Sequence, residues 1–237
     1  MYAFQGRVRY SECDDSGRLS LFSAMNYLQD CSTFQSAELG QGINGLESRG
    51  LAWVLSNWAI EVERLPRFGE FVRVSTWCYE MSHAHALRSF LLEGSSGEQL
   101  VRADSQWFVL DTATGHVTRV PQDQLVYLSD EPRLEMAPLA RRIKVSGPAT
   151  MAPHKTVKHY DLDTNHHVNN ARYVSIATNA LDALGIDVPL ARIQVQYRTM
   201  ALLDDVIVPQ VHACEDGWDV DLTDKDGKTY AIVRLQK

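Results

Sequence analysis

Helical periodicity occurs in only two stretches of this 237-residue chain, and each is followed by four strand-like runs. The first stretch, residues 21–39, follows Ser20 as a candidate N-cap and stops at Gly40. Leu21, Ala24, Met25, Leu28, Cys31 and Gln35 share one face of it. The second, residues 170–184, stops at Gly185, and Tyr173, Ala177, Ala180, Leu181 and Leu184 form its apolar stripe. Runs rich in Trp, Val and Ile cover residues 51–64, 71–79, 84–93 and 100–110 after the first helix. Residues 193–198, 206–213, 218–222 and 230–235 do the same after the second. Ser96-Gly97, Thr114-Gly115, Asp216-Gly217 and Asp226-Gly227 supply turns between them.

The two halves share small matches in the same order. Tyr10, Asp14 and Leu19 parallel Tyr160, Asp163 and Val168. Ile60-Glu61-Val62-Glu63 parallels Ile193-Gln194-Val195-Gln196, and Gly69-Glu70-Phe71-Val72 parallels Asp204-Asp205-Val206-Ile207. A long helix wrapped by an antiparallel sheet, occurring twice, predicts an α+β chain with a double hotdog architecture. The expected layout is an N-terminal hotdog over 1–120, a linker over 121–150 and a C-terminal hotdog over 151–237. The linker is punctuated by Pro121, Pro132, Pro138 and Pro148. Edge-to-edge joining of the two sheets would protect their open strands.

Composition narrows the function classes. With 45% hydrophobic and 22% charged residues the chain can bury a real core. Its formal charge of −7 argues against nonspecific nucleic-acid binding, which needs a basic surface. No apolar run has the length of a membrane span, and the N-terminal residues lack a signal-peptide apolar region, so a cytoplasmic protein is expected. Cys13, Cys31, Cys78 and Cys214 are widely spaced and read as reduced core thiols. His154, His159, His166 and His167 cluster in sequence, but no Cys or carboxylate completes a recognised metal spacing, so no metal and no cofactor are expected.

Chemistry concentrates in residues 160–170, Tyr-Asp-Leu-Asp-Thr-Asn-His-His-Val-Asn-Asn. If the part before the helix is extended, Asp163, Asn165 and His167 point to one side. An acid, an amide and an imidazole then converge where a helix begins and its first backbone N–H groups lack partners. A thioester carbonyl placed there would find donors for its developing oxyanion. Histidine is the residue type whose unperturbed range suits a general base near neutral pH, which makes His167 the candidate. Asp163 would orient that imidazole or activate a water, and Asn165 would hold the carbonyl or the water. Asp and Asn before a helix are routine caps, and a lone His is ordinarily structural; only the combination points to catalysis.

The segment Asp161-Leu162-Asp163-Thr164-Asn165-His166-His167-Val168-Asn169-Asn170-Ala171-Arg172-Tyr173 resembles the signature of the plastid and bacterial acyl-ACP thioesterases. Arg9-Tyr10-Ser11-Glu12, residues 30–36 and Ala52-Trp53-Val54-Leu55-Ser56 resemble that family's N-terminal region, so the likeness spans nearly the whole chain. The resemblance implies a double hotdog, no metal, and hydrolysis of fatty acyl-ACP to free fatty acid and carrier protein, as in fatty acid biosynthesis. It assigns the catalytic Asp, Asn and His to Asp163, Asn165 and His167. Asn169 and Asn170, with Trp53 and Trp58, are candidate substrate-binding residues. In the first half Ser16 and Arg18 stand at the positions of Asn165 and His167, which leaves that half to hold the acyl chain.

One position departs from the family pattern. A Glu usually follows the Tyr of the strand after the catalytic helix, and here Met200 aligns with it. Either Asp163 and His167 suffice, or another acid such as Asp204 substitutes, or turnover is low. Ala201 stands where some members have Cys, so a covalent route from that position is excluded. The alternatives to acyl-ACP hydrolysis are therefore an acyl-CoA thioesterase and a non-catalytic acyl-thioester binding protein. Carrier protein is acidic and so is this chain, so docking needs a local basic patch. Lys155, Arg172 and Arg198 are its candidates, with Lys158, Arg141 and Arg142 nearby. Expected partners are acyl carrier protein and no nucleic acid or membrane, with the chain acting as a monomer or homodimer.

Overall fold

Ser20 starts the first helix as its spacing predicts: its hydroxyl accepts the N–H of Ser23 at 3.1 Å. The computed structural model describes residues 1–41, 45–187 and 190–237. They divide into two units, Met1–Leu139 and Ala140–Lys237. In the first, α1 (Leu21–Glu38) packs on an antiparallel sheet in the order β1-β3-β4-β5-β2. These strands are β1 (Tyr2–Arg7), β2 (Leu51–Val62), β3 (Phe71–Met81), β4 (His85–Gly94) and β5 (Gln99–Asp111), and the short β6 (Val117–Thr118) pairs with β5. Leu21, Ala24, Met25, Leu28, Cys31 and Gln35 are buried, so the predicted helix face is the observed one.

The second unit repeats the plan. Its helix α2 (Asn170–Ala183) lies on a sheet in the order β9-β12-β11-β10-β7, with β8 also paired to β10. The strands are β7 (Thr150–Met151), β8 (Lys155–Thr156), β9 (Arg192–Tyr197), β10 (Val206–Cys214), β11 (Gly217–Thr223) and β12 (Thr229–Gln236). Tyr173, Ala177, Ala180 and Leu181 of the predicted stripe are buried against it. Each unit is a hotdog: one long helix on one face of an antiparallel sheet.

The proline-rich segment 121–150 divides between the units, because each part is tied to its own sheet. On the first, the Trp77 indole donates to the Pro132 carbonyl at 2.8 Å. Arg133 pairs with buried Asp104 at 2.7 Å there. On the second, Ile143 is 1% exposed and its N–H donates to Gln196 Oε1 at 3.2 Å. No helix among the described residues is long and apolar enough to cross a membrane. The four cysteines are free thiols, Cys31 and Cys78 buried.

Candidate active site

A tight turn precedes α2. Lys158 N–H donates to Asp161 Oδ2 at 2.9 Å and closes the short turn His159–Asp161. Leu162 and Val168 then bridge, and between them Asp163 N–H donates to the His167 carbonyl at 2.8 Å. One carboxylate oxygen of Asp163 accepts the N–H of Asn165 at 2.8 Å and of His167 at 3.4 Å. His166 sits at the tip with φ +61°, a left-handed conformation that costs a side-chain-bearing residue about 1–2 kcal/mol. The segment is therefore folded back on itself rather than extended, and the expected alternation of side chains does not apply. Aspartate closing an Asx turn outcompetes strand geometry here. Asp163 and His167 are half-buried, whereas Thr164, Asn165 and His166 are exposed.

The first unit builds the same turn before α1. Asp14 N–H donates to the Arg18 carbonyl at 2.8 Å, and Cys13 and Leu19 bridge. Asp14 Oδ1 accepts the N–H of Ser16 at 3.0 Å and of Arg18 at 3.2 Å. The closing bonds match as well. Leu19 N–H donates to Pro66 and Ser20 N–H to Glu12, as Val168 donates to Ala201 and Asn169 to Asp161. Gly17, at φ +74°, occupies the tip without the strain that His166 carries. Two copies of one loop thus differ in what they present: Ser16, Gly17 and Arg18 in the first, Asn165, His166 and His167 in the second. Arg18 is occupied structurally, its guanidinium donating to the Leu65 carbonyl at 3.0 Å.

Two family models match the chain, one after the other. Residues 1–127 match the acyl-ACP thioesterase N-terminal domain, and residues 149–236 match the acyl-ACP thioesterase C-terminal domain. The chain belongs to the acyl-ACP thioesterase family. It is 27% identical over 222 residues to oleoyl-acyl carrier protein thioesterase 1 of Arabidopsis thaliana, covering 84% of this chain and 60% of the relative. Against the palmitoyl-acyl carrier protein thioesterase of Gossypium hirsutum it is 27% identical over 180 residues, 70% of this chain and 44% of the relative. The chain therefore spans roughly half the length of these curated relatives. An acyl-ACP thioesterase from Bacteroides thetaiotaomicron superposes with a TM-score of 0.86 at 24% identity, covering 99% of this chain and 96% of the other. The 12:0-ACP thioesterase of Umbellularia californica gives 0.82 at 21% identity, with coverage of 99% and 96%. Both share the double hotdog fold.

In this chain the start of α2 is less open than expected. Asn169 is the helix cap: its side chain accepts the N–H of Ala171 at 2.8 Å and its carbonyl that of Arg172 at 2.8 Å. Two first-turn donors are thereby withdrawn from any oxyanion role. Asn170 is the first helical residue, and its carbonyl accepts the Tyr197 hydroxyl at 3.0 Å. Tyr173 accepts the Ala201 N–H at 2.9 Å and packs edge-on against Tyr197 at 5.8 Å. Burial pushes the Tyr173 phenol up to about 12 and that of Tyr197 well up, so both stay neutral and act as struts.

Met200 is 41% exposed and sits one residue before Ala201, whose carbonyl holds Val168 beside His167. Asp204, the substitute acid considered from the sequence, forms a surface ion pair with Lys158 at 3.1 Å. The basic candidates separate into two kinds. Lys155 pairs with Asp161 at 2.9 Å, and Arg172 approaches the same carboxylate at 3.9 Å. Asp161 is buried, so these two cations compensate an internal charge. Arg198 is exposed, and its guanidinium makes one long bond of 3.4 Å to Gln196. Among the described residues no group of three or more His, Cys, Asp or Glu is placed to hold a metal ion.

Trp53 and Trp58 also part company. Trp53 lines a cavity of about 80 Å³ in the first unit, together with Cys78, Met81, Ala86, Arg88, Trp107 and Tyr127. Trp58 is 0% exposed, lies edge-on to Phe90 at 5.6 Å and belongs to the core instead. The irregularity between Leu55 and Asn57 brings both tryptophans to one face of the sheet, Trp53 opposite Val109 and Trp58 opposite Ser105, so they differ in their place along the strand and not in the face they occupy. Arg88 carries no mark of its own in the sequence. Its signal there is Gln35, the one amide on the otherwise small or apolar face of α1.

Proposed function

We propose that this chain hydrolyses a fatty-acyl thioester of acyl carrier protein, with His167 as general base, Asn165 as carbonyl donor and Asp163 as the residue that positions both. The observation that carries this reading is the duplicated loop. Its backbone N–H groups are bonded the same way in both units, yet only the second copy presents an amide and an imidazole. A purely structural turn would need neither, since Ser16 and Arg18 close the first copy equally well.

The chemistry follows from those two side chains. His167 removes a proton from water, and the water oxygen attacks the thioester carbonyl carbon. The Asn165 amide donates to the oxygen that becomes negative. Collapse expels the carrier thiolate, which takes the proton back from the imidazolium, leaving the free fatty acid. No covalent enzyme intermediate is involved, and Ala201 offers no nucleophile. The first unit, with its tryptophan-lined cavity, is where the acyl chain is held. The partner is acyl carrier protein, met by the exposed Arg198.

Thiol release from a chain-length series of acyl-ACP and acyl-CoA, for wild type and His167→Ala, tests this. Turnover that the substitution lowers by orders of magnitude supports the hydrolase and names the carrier. Faster turnover of acyl-CoA at equal chain length would replace the carrier assignment. Met200 favours one second reading, an acyl-thioester binding protein without turnover. Tight binding with no thiol release, restored to release by Met200→Glu, is what that reading requires.

A further inference from the structure

The first unit buries a positive charge that nothing among its described residues neutralises. Arg88, in β4, is 8% exposed and lines the cavity described above. Its Nη1 donates to Gln35 Oε1 at 2.5 Å and to Thr76 Oγ1 at 3.2 Å, and its Cζ lies 5.4 Å from the centre of the Tyr127 ring. Both bonds use one nitrogen of a group that carries five N–H donors. Among the described residues no carboxylate pairs with it. The ionisable groups around it are Cys31, Cys78 and Tyr127, and burial pushes both thiols up, so they stay uncharged.

A desolvated guanidinium without a counter-charge is expensive, and packing alone does not require it. Ala86 and Phe90, two residues away on either side and on the same face of β4, are buried apolar side chains. A Leu or Met at position 88 would complete that row at lower cost. The rest of the cavity wall is mainly apolar, with Trp53, Met81, Ala86 and Trp107; the hydroxyls of Ser32 and Ser36 also line it, but they already donate to the Gln29 and Ser32 carbonyls of α1. At about 80 Å³ the space exceeds the roughly 10–15 Å³ that one water needs. A site with apolar walls and one unpaired cation suits a hydrocarbon chain that ends in an anion. It does not suit the amides of a pantetheine arm, which would need polar walls along their length.

We propose that Arg88 makes this cavity selective for an acyl chain carrying a carboxylate at its far end, so that the preferred substrates are monothioesters of dicarboxylic acids. The carboxylate completes the guanidinium's hydrogen bonding, and the walls hold the methylenes. A saturated chain reaching the same depth would place its methyl against an unpaired charge. This inference rests on the thioesterase reading, and it deepens that reading by naming the substrate class.

The test compares wild type, Arg88→Met and Arg88→Lys on octanoyl thioester and on the monothioester of the eight-carbon dicarboxylic acid. The readout is the ratio of the two kcat/KM values. Wild type should favour the carboxylated chain by about 30-fold or more, the size expected for a buried charge pair. Arg88→Met should invert the ratio, and Arg88→Lys should keep its direction. A wild-type preference for the plain chain overturns the proposal even if Arg88→Met does not fold. Binding gives a readout independent of turnover, using thermal shifts with the monomethyl ester of the same dicarboxylic acid and with methyl octanoate. If no thioester is hydrolysed the hydrolase reading fails, yet stabilisation of wild type by the carboxylated ester alone would still support the pocket. Equal shifts with both esters, or none, would overturn it.

Discussion

The carboxylate of Asp163 accepts the backbone N–H of His167 at 3.4 Å, and no hydrogen bond joins it to the imidazole. The same relationship holds between Asp14 and the N–H of Arg18, where no imidazole exists. On the mechanism proposed above, Asp163 shapes the loop rather than relaying protons. An Asn in its place keeps an acceptor oxygen for both N–H groups, whereas Ala removes it. Asp163→Asn should keep kcat within about 10-fold of wild type with an unchanged pH profile. Asp163→Ala should lose about 10²-fold, the size expected when a reacting group is misplaced by an ångström. Equal losses in the two variants would mean that the carboxylate itself takes part in proton transfer.

Asn165 can be exchanged for its counterpart without disturbing the turn. Ser16 Oγ donates back to Asp14 Oδ1 at 2.6 Å, so a serine there turns inward instead of presenting a donor outward. Asn165→Ser should fold with the wild-type Tm and lose about 10²–10³ in kcat, the contribution of one oxyanion donor. His167→Ala should lose about 10²–10⁴ through the missing base. A drop in Tm that accompanies the lost activity of Asn165→Ser would assign the amide to structure instead.

Much of this architecture is legible in the sequence because each signal has a local cause. Ser20 and Gly40 bracket α1, and the spacing of Leu21, Ala24, Met25, Leu28, Cys31 and Gln35 names its buried face. The repeat is legible for the same reason: Asp14 and Asp163 each close a turn before a helix. The form of that turn is not, because an extended segment and an Asx turn share residue types and differ only in a carboxylate's choice of backbone donors. The fates of Lys155 and Arg172 were also hidden. Nothing local marks Asp161 as buried, so two apparently free surface cations turn out to compensate it. Gln35 was visible as a polar residue on an otherwise small or apolar face, but its partner Arg88 lies 53 positions away on another element.

That internal compensation separates two substitutions that look alike in sequence. Arg198 is exposed, so Arg198→Glu should raise KM for acyl carrier protein substrates, flatten its dependence on salt and leave kcat and Tm unchanged. Arg172→Glu places a second carboxylate against buried Asp161 and should lower stability by about 1–3 kcal/mol in urea titrations. A KM unchanged by Arg198→Glu would remove that residue from carrier recognition.

The turn between β4 and β5 carries a pH dependence of its own. The Ser96 hydroxyl donates to Glu98 at 2.5 Å and Arg64 pairs with it at 2.8 Å, and the hydroxyl contributes most to lowering the carboxyl to about 2 from its ordinary 4.5. A folded-state value below the unfolded one means the ionised carboxylate favours the folded chain. Its contribution is complete above about 4.5 and is lost as pH falls toward 2. Wild type should therefore be more stable than Glu98→Gln at pH 7, with the gap between their urea midpoints closing as the titration is repeated at lower pH through that window. Because Glu98 is partly open to solvent, the gap should also shrink in high salt at pH 7. A gap that stays constant from pH 7 down to pH 2 would show that the carboxylate's charge contributes nothing and that the loss in Glu98→Gln is one of packing.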